Sequence, residues 1–282
     1  MTNHLRITPL TIGSHHFDFK KPYIMGIVNI TPDSFYDGGQ WLNPDNAFKQ
    51  IERLISEGAD IIDIGAESTR PNAKPVSKHE EEKRLLPILK KYKTYFDTPL
   101  SIDTTKSDIA SMALSLGADI INDISAFRFD PLMPKVISQH NGTVILMHSI
   151  RTPETMQDAP SYHNIIQDVT INLTQAITIA KAESISNIII DPGIGFGKTL
   201  HHNLTLLNQL SSFKPLGHPI LVGISRKSMI GQLTGDAEKD RLNGTIGANV
   251  SACLNGANFF RVHDVKQVKQ AVDVAFAIQA HQ

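Results

Sequence analysis

The sequence lacks most of what would mark a secreted, membrane-bound or nucleic-acid-binding protein. It has one cysteine in 282 residues. A single thiol excludes an internal disulfide and any zinc site built from several cysteines. No apolar run approaches the roughly 18–20 residues that a membrane helix needs. The start, MTNHLRITPL, has no apolar stretch of the kind found in secretory signals. Charge of one sign is missing too: 27 Lys and Arg stand against 28 Asp and Glu, a formal net charge of -1. Coating a phosphate backbone needs a surplus of cations, so a nucleic-acid partner is disfavoured. No low-complexity tract or flexible linker divides the chain. Hydrophobic residues make up 41%, enough for a core, which rules out a disordered acidic chain. The expectation is one cytoplasmic enzyme domain over residues 1–282.

What is present is a repeated unit. A short apolar run rich in Ile and Val ends in a polar residue, and an amphipathic segment follows. The runs are 23–28, 60–64, 99–102, 119–121, 143–147, 187–190, 219–223 and 258–262. Runs this short and apolar fit parallel strands buried on both faces. The intervening segments 45–57, 78–92, 106–116, 131–140, 164–183, 200–213, 241–255 and 265–279 read as helices. Thr104 and Thr105 are candidate caps for the third. Strand and helix alternating throughout imply a parallel sheet. Eight units fit a closed (β/α)8 TIM barrel; an open doubly wound sheet is the rival. Leu5-Ile7 and Phe17-Phe19 suggest a short N-terminal hairpin under the barrel.

A barrel places its functional groups after the strands, at the C-terminal face. Polar residues stand there at nearly every unit: Asn29, Glu67, Asp103, Asn122, His148, Asp191, Lys227, and Arg261 with His263. Each alone has a plain structural explanation as a cap, a turn former or a solvated side chain. Their recurrence at successive strand ends favours a site.

Gly193-Ile194-Gly195-Phe196-Gly197-Lys198-Thr199 resembles a phosphate loop but fails both common spacings. It reads as a tight turn presenting Asp191 and Phe196. Arg261 and His263 alternate at the last strand end, just before a helix N-terminus, and suit an anion. The plain alternative for Arg261 is an ion pair with Asp264. Asp103, Asn122 and Asp191 suit a flat heterocycle with an amino-pyrimidinone edge, with Met147 and Phe196 against its faces. The pocket therefore divides into an anion end and a heterocycle end.

These motifs together resemble the dihydropteroate synthase family. Met25-Gly26-Ile27-Val28-Asn29-Ile30-Thr31-Pro32-Asp33-Ser34-Phe35 is similar to its opening motif, and Asp63-Ile64-Gly65-Ala66-Glu67-Ser68-Thr69-Arg70-Pro71 to its second. Matches follow in the family's order at Ser101–Thr104, Ile121–Ile124, Leu146–His148, Asp191–Lys198, Ser225–Ser228 and Arg261–Asp264. Arg151 departs from the pattern, standing where the family commonly has Gly.

The resemblance implies condensation of 6-hydroxymethyl-7,8-dihydropterin pyrophosphate with p-aminobenzoate. The products are 7,8-dihydropteroate and pyrophosphate, formed by a dissociative C–O cleavage. By matched position it implies that Asp103, Asn122, Asp191 and Lys227 bind the pterin, with Met147 lining its pocket. Asn29 would help hold Mg²⁺, and Arg261 and His263 would bind pyrophosphate. Thr69, Arg70, Pro71, Phe196 and Ser225 would form the p-aminobenzoate side. Asp33, Arg70 and Lys227 are the implied catalytic groups, Asp33 stabilising a pterin cation. It also implies a sulfonamide target and a homodimer. One barrel accounts for the 282 residues, so no fused pterin pyrophosphokinase is expected.

Three rivals are weaker. A corrinoid-dependent pterin methyltransferase shares the Asp/Asn/Asp set but usually lacks the Ser-Arg-Lys and Arg-x-His groups. A Schiff-base lyase would need a lowered pKa at Lys227, which neighbouring carboxylates should instead raise. A pterin store would not need Thr69-Arg70-Pro71. Cys253, in a small-residue helix, reads as packing.

Overall fold

The computed structural model describes residues 7–31, 44–68, 73–237 and 240–281. Strands β1 (Leu10–Ile12) and β2 (His15–Phe17) form an antiparallel hairpin, with Leu10 opposite Phe17. The expected hairpin at Leu5-Ile7 and Phe17-Phe19 is thus displaced. The reversal falls at Gly13, whose φ of 57° suits a tight turn and sets the register. Leu5 lies outside the described residues.

Eight parallel strands follow: β3 (Tyr23–Asn29), β4 (Ile61–Gly65), β5 (Leu100–Asp103), β6 (Ile120–Asp123), β7 (Thr143–Met147), β8 (Ile188–Asp191), β9 (Leu221–Val222) and β10 (Phe259–Val262). Their order is β8-β7-β6-β5-β4-β3-β10-β9. A bridge between Ile190 and Ile220 brings the two ends together, so the sheet closes as a (β/α)8 barrel.

Helices alternate with the strands: α1 (Pro44–Ser56), α2 (Lys78–Tyr95), α3 (Ser107–Ser115), α4 (Met133–Gln139), α5 (Ile165–Ala182), α6 (Leu200–Asn208), α7 (Ser228–Thr234), α8 (Leu242–Leu254) and α9 (Val265–Ala280). Several start on side-chain caps. Ser77 accepts from the Glu80 amide, Asn164 from Ile166 and Gln167, and Thr199 forms a capping box with His202. Neither expected threonine caps α3. Its N-cap is Lys106, and Thr104 instead accepts from the Lys106 amide at 3.3 Å. The expected helix over 200–213 stops at Asn208 and continues as a 3-10 turn over Leu210–Leu216. Helix α7, only seven residues long, is too short to show a helical period and was not expected. Among the described residues, no helix is long and apolar enough to cross a membrane. Cys253 is buried, and its thiol donates to the Val272 carbonyl at 3.8 Å.

Strand side chains alternate, and this alternation builds both the core and the site. One parity faces outward: Ile24, Val28, Ile62, Ile64, Ile102, Val144, Leu146 and Ile190 pack in the layer beneath the helices. The other parity faces the barrel axis. At the lower end Met25, Ile61, Ile120, Ile145, Ile189, Leu221 and Phe259 form a separate apolar cluster, plugged by Leu10, Ile12 and Phe17 of the hairpin. Phe17 lies against Tyr23 and Phe259, with ring centroids 4.8 and 5.6 Å away. Two residues further along the same strands, the inward positions are Asp63, Asn122, Met147, Asp191 and Arg261. The apolar floor therefore fixes where the polar groups stand.

Phe17→Ala should lower unfolding free energy by about 3–5 kcal/mol, the usual range for a buried Phe. Denaturant melts would measure it. A loss below about 1 kcal/mol would mean that the hairpin is not a structural plug.

Candidate active site

The upper ends of the strands enclose a cavity of about 370 Å³. Register explains its wall. Gly65, Asp103 and Asn122 are successive partners across β4, β5 and β6, and Met147 pairs with Asp191 across β7 and β8. Four neighbouring strands thus deliver two carboxylates, an amide and a thioether to one side.

Arg261 enters from β10. Its Nε donates to Asp63 Oδ2 at 2.7 Å and its Nη2 to Asp103 Oδ2 at 2.9 Å. Asn122 Nδ2 reaches the same Asp63 oxygen at 3.4 Å. Asp63 is fully buried and does not itself line the cavity. The plain pairing of Arg261 with Asp264 is not formed. Asp264 is engaged by Arg226, whose Nε and Nη2 donate to its two oxygens at 3.0 and 2.6 Å. Arg261 also reaches across the expected division of the pocket, pairing with Asp103 of the heterocycle side. The anion and heterocycle ends meet at this residue.

The Gly-rich segment is a turn, as its failed phosphate-loop spacing implied. Gly193, Gly195 and Gly197 have φ of 71°, 83° and 59°. A Cβ at Gly193 would lie 1.9 Å from the His148 carbonyl oxygen. The turn caps Asp191, whose Oδ1 accepts from the Gly193 amide at 2.7 Å. It also places the Phe196 ring 4.0 Å from Lys227 Nζ, which donates to the Ile194 carbonyl at 2.7 Å.

Burial dominates the electrostatics. It pushes Asp103 up to about 7, against the pull of Arg261 and with help from Asp63, Glu81 and Glu67. It pushes Asp191 up to about 6, opposed by the Gly193 amide and by Lys227. Lys227 moves opposite to the expectation that carboxylates would raise it. Burial brings it down to about 7, outweighing Asp191 and Asp103, while Arg261 lowers it further. That removes the objection on pKa grounds to amine chemistry at Lys227, so the lyase reading must be judged on the rest of the site.

The remaining wall is polar and ordered. Ser225 Oγ lies 3.0 Å from His263 Nδ1 and accepts from the His263 amide at 3.3 Å. Asn29 closes the wall at the end of β3, and Gly65 beside it carries no side chain to cover its amide oxygen, which a Cβ there would approach to 3.7 Å.

A family model described as pterin binding enzyme matches residues 25–263. A dihydropteroate synthase of Synechocystis sp. is 43% identical over 274 residues, which is 96% of this chain and 95% of that protein. The chain belongs to the dihydropteroate synthase family. The structure of the Yersinia pestis dihydropteroate synthase with a sulfonamide drug is similar at a TM-score of 0.93 and 38% identity, covering 97% of this chain and 100% of that one. The Thermus thermophilus dihydropteroate synthase with 4-aminobenzoate gives a TM-score of 0.87 and 36% identity, covering 96% and 100%.

Asn29, Asp103, Asn122, Met147, Asp191, Phe196, Ser225, Lys227, Arg261 and His263, the positions carried over from the synthase motifs, all line the one cavity. Asp33, Thr69, Arg70 and Pro71 lie outside the described residues. At the synthase family's departure point the segment is tied down locally. Ser149 Oγ donates to the Arg151 carbonyl at 2.7 Å, and Arg151 Nη1 donates to the Asp158 carbonyl at 2.8 Å. Sequence reasoning gave no role to Asp63, Arg241 and Lys198, and counted Arg226 only within the Ser-Arg-Lys group. A carboxylate inside the run Ile61-Ile62-Asp63-Ile64 was the available signal, since a buried strand carries a charge only when something pairs it. Arg241 also lines the cavity and donates to the Arg226 carbonyl at 3.1 Å. No comparable signal marked it.

The raised carboxylates have a consequence for stability. Between the ordinary value of 3.8 and about 7, folded Asp103 holds a proton that the unfolded chain releases. Its contribution therefore falls as pH rises through that window. Asp103→Asn should show a smaller loss of melting temperature from pH 4 to pH 7 than the unaltered protein. Equal losses would contradict the assignment.

Proposed function

We propose that this cavity condenses 6-hydroxymethyl-7,8-dihydropterin pyrophosphate with p-aminobenzoate, releasing pyrophosphate and 7,8-dihydropteroate. The observation that carries this reading is the convergence of Asp103, Asn122, Asp191 and Lys227 on one cavity beside Arg261. In this reading Asp103 and Asp191 accept the pterin's N–H groups, and Asn122 both donates and accepts. Met147 lines the ring pocket. Lys227 donates to the pterin from its place against Phe196.

The reaction is an alkyl transfer to an amine. The C–O bond to pyrophosphate breaks first, its electron pair leaving with the pyrophosphate. The amine nitrogen then bonds the methylene carbon and loses a proton. Such chemistry depends on stabilising the leaving group and holding the cation, more than on proton transfer. Arg261 and His263 take the pyrophosphate oxygens, and Asp33 is assigned to stabilise the cation. Thr69, Arg70, Pro71, Phe196 and Ser225 form the p-aminobenzoate side.

Asn29 would hold Mg²⁺. A single amide oxygen in an uncovered position fits an ion that takes most of its ligands from phosphate and water. When bound, the ion would neutralise charge on the pyrophosphate. We further assign the chain as a cytoplasmic, homodimeric transferase of one barrel domain, open to competition by sulfonamides.

The test is pyrophosphate release with Mg²⁺, with and without p-aminobenzoate. Release with p-aminobenzoate, and competition by a sulfonamide against it, are expected. Absence of dihydropteroate under both conditions would overturn the reading. Arg261→Ala should weaken binding of the pterin pyrophosphate by at least about tenfold and also weaken a pterin lacking pyrophosphate, because it strips two buried carboxylates of their cation. Weakening confined to pyrophosphate would return Arg261 to a pure anion site.

A further inference from the structure

Lys198 takes no part in the reaction just described, yet it is 4% exposed. It does not line the cavity, and neither does His148. Burying an amine is costly unless every donor is paired. Here the pairing is complete and joins two loops. Nζ donates to the Phe196 carbonyl at 2.9 Å and the His148 carbonyl at 3.3 Å, and lies 3.0 Å from His148 Nδ1. Two carbonyls and one ring nitrogen match either an ammonium or a neutral amine. Burial holds His148 down to about 2, with Lys198 and Arg128 adding to it, so the imidazole is neutral.

Within the turn that Lys198 grips, the Phe196 amide donates to the Gly193 carbonyl at 3.1 Å. Its three glycines in the left-handed region add no side chains, so its packing rests on Ile194 and Phe196 alone. It is also tied from outside. Asn203 Oδ1 accepts from the Gly195 amide at 2.7 Å, Gln157 donates to the Gly195 carbonyl at 2.9 Å, and Tyr162 to the Gly197 carbonyl at 2.8 Å. Among these ties, only Lys198 holds Phe196 itself. The Phe196 ring is the one that lies 4.0 Å from Lys227 Nζ.

We propose that Lys198 is a positioning residue, latching the turn after β8 to the end of β7 and so holding Phe196 against Lys227 to shape the p-aminobenzoate side. The proposal rests on the synthase reading. A ring displaced by about an ångström forfeits part of its packing against p-aminobenzoate, a loss of binding more than of chemistry.

The test uses the full chain labelled with ε-¹³C-lysine. The Lys227 signal, assigned by its loss in Lys227→Met, should be shifted upfield by the Phe196 ring current in the ligand-free protein. In Lys198→Met that shift should be largely lost. The KM for p-aminobenzoate should rise about tenfold while kcat stays within about threefold. Lys198→Gln, which keeps two N–H donors on a shorter side chain, should move both readouts the same way by less, and serves if the Met variant does not fold. A Lys227 signal at its original position in a folded variant would overturn the proposal, whatever the melting temperature. A moved signal with an unchanged KM would overturn it too, because the latch would then not serve the pocket. The spectrum needs no turnover. Inactivity of the unaltered enzyme would therefore strike the synthase reading and leave the latch to be judged on the spectrum.

Discussion

A guanidinium enclosed with two carboxylates survives burial only while all three remain together. Arg261, Asp63 and Asp103 form such a group at 2.7 and 2.9 Å, and the upper half of the barrel is arranged around it. Removing Arg261 would leave two like charges in a low-dielectric wall. Removing either carboxylate would leave the guanidinium underpaired and free to swing. Asp63 has a second task, since the oxygen that binds Arg261 also faces Asn122 Nδ2. One carboxylate outside the cavity thus orients two residues within it. The cluster remains strained in electrostatic terms: Asp103 is pushed up to about 7 even with Arg261 beside it. A ligand that donates hydrogen bonds to Asp103 would relieve this, which suits a site meant to be filled.

The barrel offsets the cost of that polar wall at its other end. The floor is built from Ile61, Ile120, Ile145, Ile189 and Phe259, closed by Phe17 of the hairpin. Because side chains alternate along a strand, a stable apolar layer below fixes the parity of the layer above. Asp191 points inward because Ile189 does. Stability and function are therefore carried by the same strands at different heights, as in other barrels.

Much of this was legible in the sequence, and the exceptions have physical causes. Short Ile-rich runs such as 187–190 located strands, because a strand buried on both faces is apolar over most of its length. The strand-end residues Asp103, Asn122, Asp191 and Lys227 stood out by type and position. Asp63 did not, because the pairing that makes it matter comes from Arg261, 198 positions away. Lys198 had no role of its own in the sequence, because its burial depends on two loops meeting, one after β7 and one after β8. The pKa of Lys227 was expected to rise because neighbouring charges can be counted in a sequence while desolvation cannot. Burial proved the larger effect and brought it down to about 7. That Arg261 reaches from the anion end to Asp103 of the heterocycle end was hidden for a related reason: strand order showed which residues were near, not which way a long side chain turned.

Asp63 does not line the described cavity, yet it sets the geometry of Arg261 and Asn122, which do. Affinity of folded Asp63→Asn for a dihydropterin ligand, measured by calorimetry, tests it most directly. The substitution preserves shape and removes the charge that holds Arg261 and Asn122. The account predicts affinity weakened by about tenfold or more, the size expected for losing a charge-assisted bond. An affinity within twofold of the unaltered protein would contradict it.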